Sequence, residues 1–313
     1  MNHNQLFMDA KTTQYGSHMV MTGSKKPTRT IYINIDTRFR DDTNSSTLAS
    51  YNITLPDRIL GVRSMEVVSA EIPYTMYNVS SNIGNNRFYI SYTTNDINNV
   101  ETVTIPDGNY TSQSTLLTQI NTQISSLDSS YNTLSVYSEN VTGTTYMCNM
   151  KNTAQSGSLQ INFGNLAHSP HEKANLRGTI GWKLGFRDTN YVISSSSGVS
   201  GESFIDISAP KYVYISLDDY SRSVNNSFIA PFSRSVMNKN IIAKIPVSSS
   251  GFSFGDTIRA NFINGTLVSD TRVFMGNSGV DLQKFKVELV DEFGTPVDMN
   301  EMDFSFTLRL ELE

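Results

Sequence analysis

A single cysteine, Cys148, among 313 residues excludes an intrachain disulfide framework. Stability must then come from packing and from partners, as expected of a chain made in a reducing compartment. Charge is scarce as well. Only 17% of residues are Asp, Glu, Lys or Arg, and 24 basic against 29 acidic side chains leave a net charge of -5. That balance excludes a body built to grip nucleic acid, and no direct nucleic-acid role is expected. The one local exception is "SKKPTR", where Lys25, Lys26 and Arg29 read as a solvated linker before the first strand. No apolar run approaches the roughly eighteen residues that a membrane helix needs. The beginning, "MNHNQLFMDAKTTQYG", has no basic segment followed by an apolar one and does not read as a signal peptide. Neither GxGxxG nor GxxxxGK[ST] occurs, so dinucleotide and P-loop chemistry have no phosphate cradle.

Uncharged polar residues fill the space: Asn, Ser, Thr and Gly, with fifteen Tyr and sixteen Phe that argue against disorder. Most of the chain alternates with period two, the mark of half-buried strands. "TRTIYINIDTRFR" places Ile31, Ile33 and Ile35 on one face; "SSTLASYNITLP" follows and is expected to end at Pro56. "ILGVRSMEVVSAEIP" is a further extended run, and "NRFYISYT" with "NNVETVTIPDG" reads as a hairpin. The last residues are the most regular, with Phe304, Phe306, Leu308, Leu310 and Leu312 alternating against Ser305, Thr307, Arg309 and Glu311. One segment alone reads as a helix. In "TSQSTLLTQINTQISSL", Leu117, Ile120, Ile124 and Leu127 recur at spacings of three and four, with Thr111 or Ser112 as cap. About a dozen strands and no βαβ alternation exclude a doubly wound sheet. They predict an all-β protein, a jelly-roll β-sandwich with one inserted helix. Residues 1–28 read as an extended N-terminal arm, and 29–313 as the jelly-roll domain, with a loop-rich insertion around 164–203.

Candidate chemistry is thin. His168 and His171 in "HSPHEK", with Cys148 twenty residues earlier, have no second ligand cluster to complete a zinc site and read as loop histidines. The carboxylate pairs Asp218–Asp219 and Asp291–Glu292 are adjacent in sequence, so on a strand they point to opposite faces and read as turn and surface residues. The sole tryptophan, Trp182 in "GTIGWKLGF", is either an interface anchor or a core residue, and the core is the plainer reading. No catalytic, cofactor-binding or metal-binding residues are assigned. The chain is expected not to be an enzyme and to need no cofactor.

The C-terminal stretch adds a resemblance. "SGVDLQKFKVELVDEFGTPVDMNEMDFSFTLRLELE" is similar to the closing block of small jelly-roll capsid proteins, the penton and related minor capsid proteins of nucleocytoplasmic large DNA viruses. Asp281, Leu282 and Gln283 match its opening, and Leu289, Asp291, Glu292, Phe293 and Gly294 its middle. Val297, Asp298, Met299, Asn300, Met302, Asp303, Phe304, Ser305 and Phe306 match its close, with Phe304 standing where that family often has Trp. "VVSAEIPYTMYNVSSNIGNNRFYI" and "TIPDGNYTSQSTLLTQIN" resemble the family's N-terminal half, whereas residues 130–230 match no motif.

The resemblance implies a structural capsid protein of a large icosahedral double-stranded DNA virus, a penton at the fivefold vertices. A minor capsid protein bracing the major capsid lattice from inside is the alternative. Implied partners are copies of itself in a homopentamer, the major capsid protein, other minor capsid proteins and, through the N-terminal arm, inner membrane-associated proteins. The implied location is the virion, with assembly in the host cytoplasm. Independently of the resemblance, a carbohydrate- or receptor-binding β-sandwich remains an alternative; it requires Trp182 and Tyr191 to stand exposed in one groove.

Overall fold

A computed structural model describes residues 28–42, 47–94, 97–154, 157–164, 176–195, 197–208, 210–221, 240–247, 253–274 and 279–313. The arm, Lys25, Lys26, His168 and His171 lie outside these residues, apart from Thr28 at the arm's end. The described chain is mostly strand, and all its strand pairs are antiparallel. It forms a curled β-sandwich of the jelly-roll kind with one helix of several turns.

Two hydrophobic cores organise it. The first belongs to β1 (Arg29–Asp36), β2 (Ser50–Pro73) and the later strands β10 (Tyr212–Asp218), β11 (Ile241–Pro246), β12 (Thr257–Asn261), β13 (Val268–Ser269), β14 (Arg272–Val273), β15 (Val280–Val290) and β16 (Ser305–Leu312). Their nine-stranded sheet runs β1-β16-β2-β15-β10-β11-β13, with β12 and β14 also on β2. The curl comes from β2. Its front half pairs with β15 from Ser50 to Thr54, and its back half pairs with β16 from Val62 to Glu71. Residues from both ends of the sheet, such as Phe306 and Leu308 from β16 and Val213 and Ile215 from β10, therefore meet in one core.

Pro56 does not end the strand. Between Thr54 and Ile59, β2 advances five residues while β15 advances two, from Lys284 to Leu282. The surplus forms a bulge, and Pro56 sits in it, where its missing N–H costs no ladder bond.

The second core is built by residues inserted between β2 and β10. A four-stranded sheet, β4-β3-β7-β8, uses β3 (Arg87–Thr94), β4 (Ile97–Thr104), β7 (Ser158–Asn162) and β8 (Asn190–Ser194). A three-stranded sheet, β5-β6-β9, uses β5 (Leu134–Thr142), β6 (Thr145–Asn152) and β9 (Gly198–Phe204). Helix α1 (Gln113–Ser125) starts at Ser112, whose Oγ accepts the Thr115 N–H at 3.2 Å. It buries Leu116, Leu117, Ile120 and Ile124. Asn121 on α1 holds the edge of β5 as a strand neighbour would: its Nδ2 donates to Val136 O at 2.6 Å and its Oδ1 accepts the Val136 N–H at 2.9 Å.

The segment 164–203, expected to be loop-rich, contributes ordered elements where it is described. A one-turn helix, α2 (Ile180–Lys183), precedes β8 and β9, which join different sheets. Gly185 follows α2 with φ +96°, and a Cβ there would lie 2.1 Å from Ser203 O. Its own carbonyl accepts the Ser203 N–H at 3.0 Å, so the chain after α2 covers part of the β9 edge at backbone distance.

Candidate functional site

Two connections pass between the cores, residues 74–78 outgoing and residues 205–208 and 210–211 returning, and the matched C-terminal residues fold against them. Asn78 clasps the two. Its Nδ2 donates to Ile207 O at 2.7 Å and Tyr110 O at 2.8 Å, while its Oδ1 accepts the Tyr110 N–H at 2.9 Å. Lys183 of α2 donates to Ser208 O at 2.6 Å, and Glu292 accepts the Lys211 N–H at 2.8 Å. Asp206 and Lys211 form an ion pair at 3.1 Å.

The loop between β15 and β16 completes the joint. Gly294 takes φ +80°, and Asp291 Oδ1 accepts the N–H groups of Phe293 at 2.9 Å and Thr295 at 2.8 Å. Asp298 accepts the Asn300 N–H at 2.9 Å and the Asn82 side-chain amide, which lies in the second core's segment. Thr75 donates to Met299 O at 2.8 Å, and the Asn300 amide donates back to Thr75 O. Asp303 accepts the Thr37 hydroxyl at 2.7 Å, and that hydroxyl accepts the Phe304 N–H at 3.1 Å. Asp298, Asn300 and Asp303 of "VDMNEMD" thus hydrogen-bond backbone and neighbouring loops, tying β16 to β1 and to the outgoing connection.

These parts enclose a cleft of about 130 Å³, with Tyr77, Trp182, Lys183, Arg187, Asp291 and Phe293 in its wall. Its charged groups already have structural partners. Arg187 Nη1 donates to Trp182 O at 2.9 Å and Phe186 O at 3.0 Å, with its guanidinium 3.8 Å from the Trp182 ring centre. Burial lowers the affinity of Lys183 for its proton and pushes the Asp291 carboxyl up to about 6, against the opposing pull of its backbone donors. Chemically this is a mechanical joint in which burial raises one carboxyl, that of Asp291.

That carboxylate gives a test. Asp291 stays protonated to a higher pH when folded than an unfolded Asp, near 3.9, so its contribution to stability is complete below about pH 4 and is lost as pH rises through about 6. Asp291→Asn keeps the acceptor without the charge. Relative to the parent, its melting temperature is expected to be similar near pH 4 and higher near pH 7–8, read by thermal denaturation across that range. An unchanged difference between the two proteins would contradict the assignment.

The other sequence candidates are not brought together. Cys148 is buried in the second core, and burial pushes its thiol up to about 12, the profile of an inert packing residue. Asp218 accepts the Tyr220 N–H at 2.8 Å, whereas Asp219 turns inward to Arg272, also at 2.8 Å. Tyr191 is half-buried against Phe163 and Phe186; its hydroxyl accepts the Asp188 N–H at 2.8 Å and donates to Glu202 at 2.8 Å. Trp182 is half-buried with Arg187 over its ring, so the two aromatics do not form an open platform. Among the described residues no group of three or more His, Cys, Asp and Glu is arranged to hold a metal, and no helix is long and apolar enough to cross a membrane. Of the joint residues, Asn78 lies in a stretch that resembled the capsid family but without an assigned role, and Lys183 and Lys211 carry no local signal, because their partners lie 25 and 81 positions away.

A family model, described as a family of unknown function (DUF5901), matches residues 20–248, most of the chain. The chain belongs to this family. The match covers β1, β2, all of the second core and β10 and β11, and stops before the C-terminal block. No curated protein matches the chain. Among solved structures, the crystal structure of the SeMet-labelled mavirus penton protein is similar at 10% sequence identity, with a TM-score of 0.41, over 91% of this chain and 100% of that one. At that score the likeness decides neither fold nor function.

Proposed function

We propose that this chain is a structural capsid protein of a large icosahedral double-stranded DNA virus, occupying the fivefold vertex as a penton. One observation carries the reading: the block resembling penton and minor capsid proteins coincides with β15, the locked turn and β16, which close the first core. In this reading residues 29–313 act as the jelly-roll unit and residues 1–28 as an arm reaching neighbours. Asp291, Asp298, Asn300 and Asp303 of the block are engaged in building the scaffold, which suits a structural role. The glycan-binding alternative is disfavoured, because Trp182 and Tyr191 share no exposed groove.

The test is compositional. Quantitative mass spectrometry of purified particles of the encoding virus is expected to find the chain at a fixed low ratio to the major capsid protein, retained after salt washing. Its absence from purified particles would overturn the reading.

A further inference from the structure

The turn between β12 and β13 holds a dipeptide that occurs nowhere else in the chain. Asn264–Gly265 is the one Asn-Gly step among the 313 residues. It sits at the apex of the connection beside Ile263, which is 96% exposed, and Asn264 is exposed with it. Side chains fasten the backbone of this turn. Asn261 Oδ1 accepts the Asn264 N–H at 2.8 Å, and Thr266 Oγ1 accepts the Asn261 N–H at 3.2 Å. Gly265 takes φ +65° and donates its N–H to Phe262 O at 3.2 Å.

The side chain of Asn264 is not fastened. Among the described residues no hydrogen bond holds its amide, whereas the amides of Asn78, Asn85 and Asn121 are held through both oxygen and nitrogen. A Cβ on Gly265 would meet nothing within 4 Å, so the amide has open space in which to swing onto the glycine nitrogen. Glycine also leaves that nitrogen unshielded by a side chain of its own. Asn140, by contrast, donates to Gly143 O at 2.9 Å and precedes the β-branched Val141. Asparagine counts among the thermolabile residues, and exposed loop tips are where chains tolerate change.

We propose that Asn264 is a site of spontaneous deamidation, with water as the co-reactant and the capped turn setting the rate. In the first step the Gly265 nitrogen gives its proton to base and bonds to Cγ of Asn264. The Cγ–Nδ2 bond breaks, and Nδ2 leaves as ammonia. The product is a succinimide ring. Water then adds to one of the two ring carbonyls: opening at Cγ gives an aspartate, and opening at the backbone carbonyl gives an isoaspartate. One water is consumed, one ammonia is released, and nothing is oxidised or reduced. Ring closure needs the Gly265 nitrogen free, so its bond to Phe262 O must open first. Asn261 and Thr266, which hold the turn shut, therefore slow the reaction. Either product places a negative charge beside Phe262 and Ile263, and the isoaspartate also lengthens the backbone of the turn. The one Asp-Gly step, Asp107–Gly108, can close the same ring with loss of water. There Asp107 accepts the Ser81 N–H at 2.8 Å and the Asn86 amide at 3.1 Å, and Gly108 N–H donates to Val79 O at 2.9 Å. With its carboxylate and its glycine nitrogen both held, that step is expected to stay intact.

The test uses the full chain, incubated folded in mildly alkaline buffer and sampled over time by peptide mapping with mass spectrometry. Isoaspartate is read separately by enzymatic methylation. Acid is expected to accumulate at position 264 ahead of every other described asparagine, faster as pH rises, with no isoaspartate at Asp107. Asn264→Gln is expected to abolish the conversion at that position. Asn261→Ala removes one cap and leaves the Asn-Gly step intact. It is expected to speed conversion by roughly two- to tenfold, the effect of one hydrogen bond on an opening equilibrium. An Asn264 that keeps its amide, or that converts no faster than the other described asparagines, would overturn the proposal. So would isoaspartate at Asp107 equal to that at position 264, or an Asn261→Ala rate no greater than the parent's. None of these results bears on whether the chain is found in particles.

Discussion

Deleting residues 305–313 is expected to leave no folded protein. The segment contains β16, which lies between β1 and the back half of β2, so its removal strips one neighbour from β2 and the only described partner from β1. Phe306, Leu308 and Leu310 are completely buried. At about 1.5–3 kcal/mol for each large apolar side chain, they alone contribute roughly 5–9 kcal/mol, comparable with the roughly 5–15 kcal/mol that holds an ordinary domain together. The outer face of the strand adds cross-strand polar pairs: Arg309 with Glu66, and Ser305 Oγ donating to Glu71 at 3.0 Å. Soluble expression and far-UV circular dichroism read the deletion. Leu308→Ala gives the graded version, with an expected loss of about 2–5 kcal/mol in urea denaturation. A deletion with unchanged thermal stability would contradict the placement of β16 between β1 and β2.

Arg272→Ala is expected to cost about 3–5 kcal/mol, the range for breaking a buried ion pair from one side. Arg272 and Asp219 are both nearly inaccessible, at 2.8 Å from each other. Arg272 Nη1 also donates to Leu217 O at 2.8 Å, and Nη2 to Asn240 O at 3.2 Å. One guanidinium thus binds the end of β10 to the chain just before β11. Truncation leaves Asp219 charged and without its cation in a dry site, and leaves two carbonyls short of a donor. The double variant Arg272→Ala with Asp219→Asn removes both charges and is expected to recover part of the loss. Chemical denaturation of the four proteins of this cycle checks the claim. A single variant within about 0.5 kcal/mol of the parent, the range of ordinary surface changes, would contradict it.

How much of this was legible in the sequence depends on how far apart the interacting residues lie. Period two in "FSFTLRLEL" located β16 and its buried face, and the spacing of Leu117, Ile120 and Ile124 located α1, because both patterns are written within one element. Pro56 misled for a physical reason. A proline reads as a strand stop, yet a bulge opposite β15 supplies a place where the missing donor does no harm. β8 and β9 were hidden because "NYVISSSSGVSGESF" is rich in Ser and Gly and alternates weakly. Gly185 and Gly201 serve there to let backbones approach closely, which hydrophobic patterning does not register. The joint was invisible for another reason. Asn78 meets Ile207 across 129 positions, and Asn82 meets Asp298 across 216, and an asparagine clasp looks in sequence like any polar loop residue. The C-terminal block carried more information than its periodicity. Its Asp298, Asn300 and Asp303, residue types that also serve in catalysis, are occupied in fastening β16 to β1 and to the outgoing connection.

The central claim, that this sandwich is a capsid building block at the vertex, is tested most directly by a density map of intact particles of the encoding virus. Five copies of the fold are expected around each fivefold axis. Vertices built from a different chain, with this one beneath the facets or missing from the shell, would contradict it.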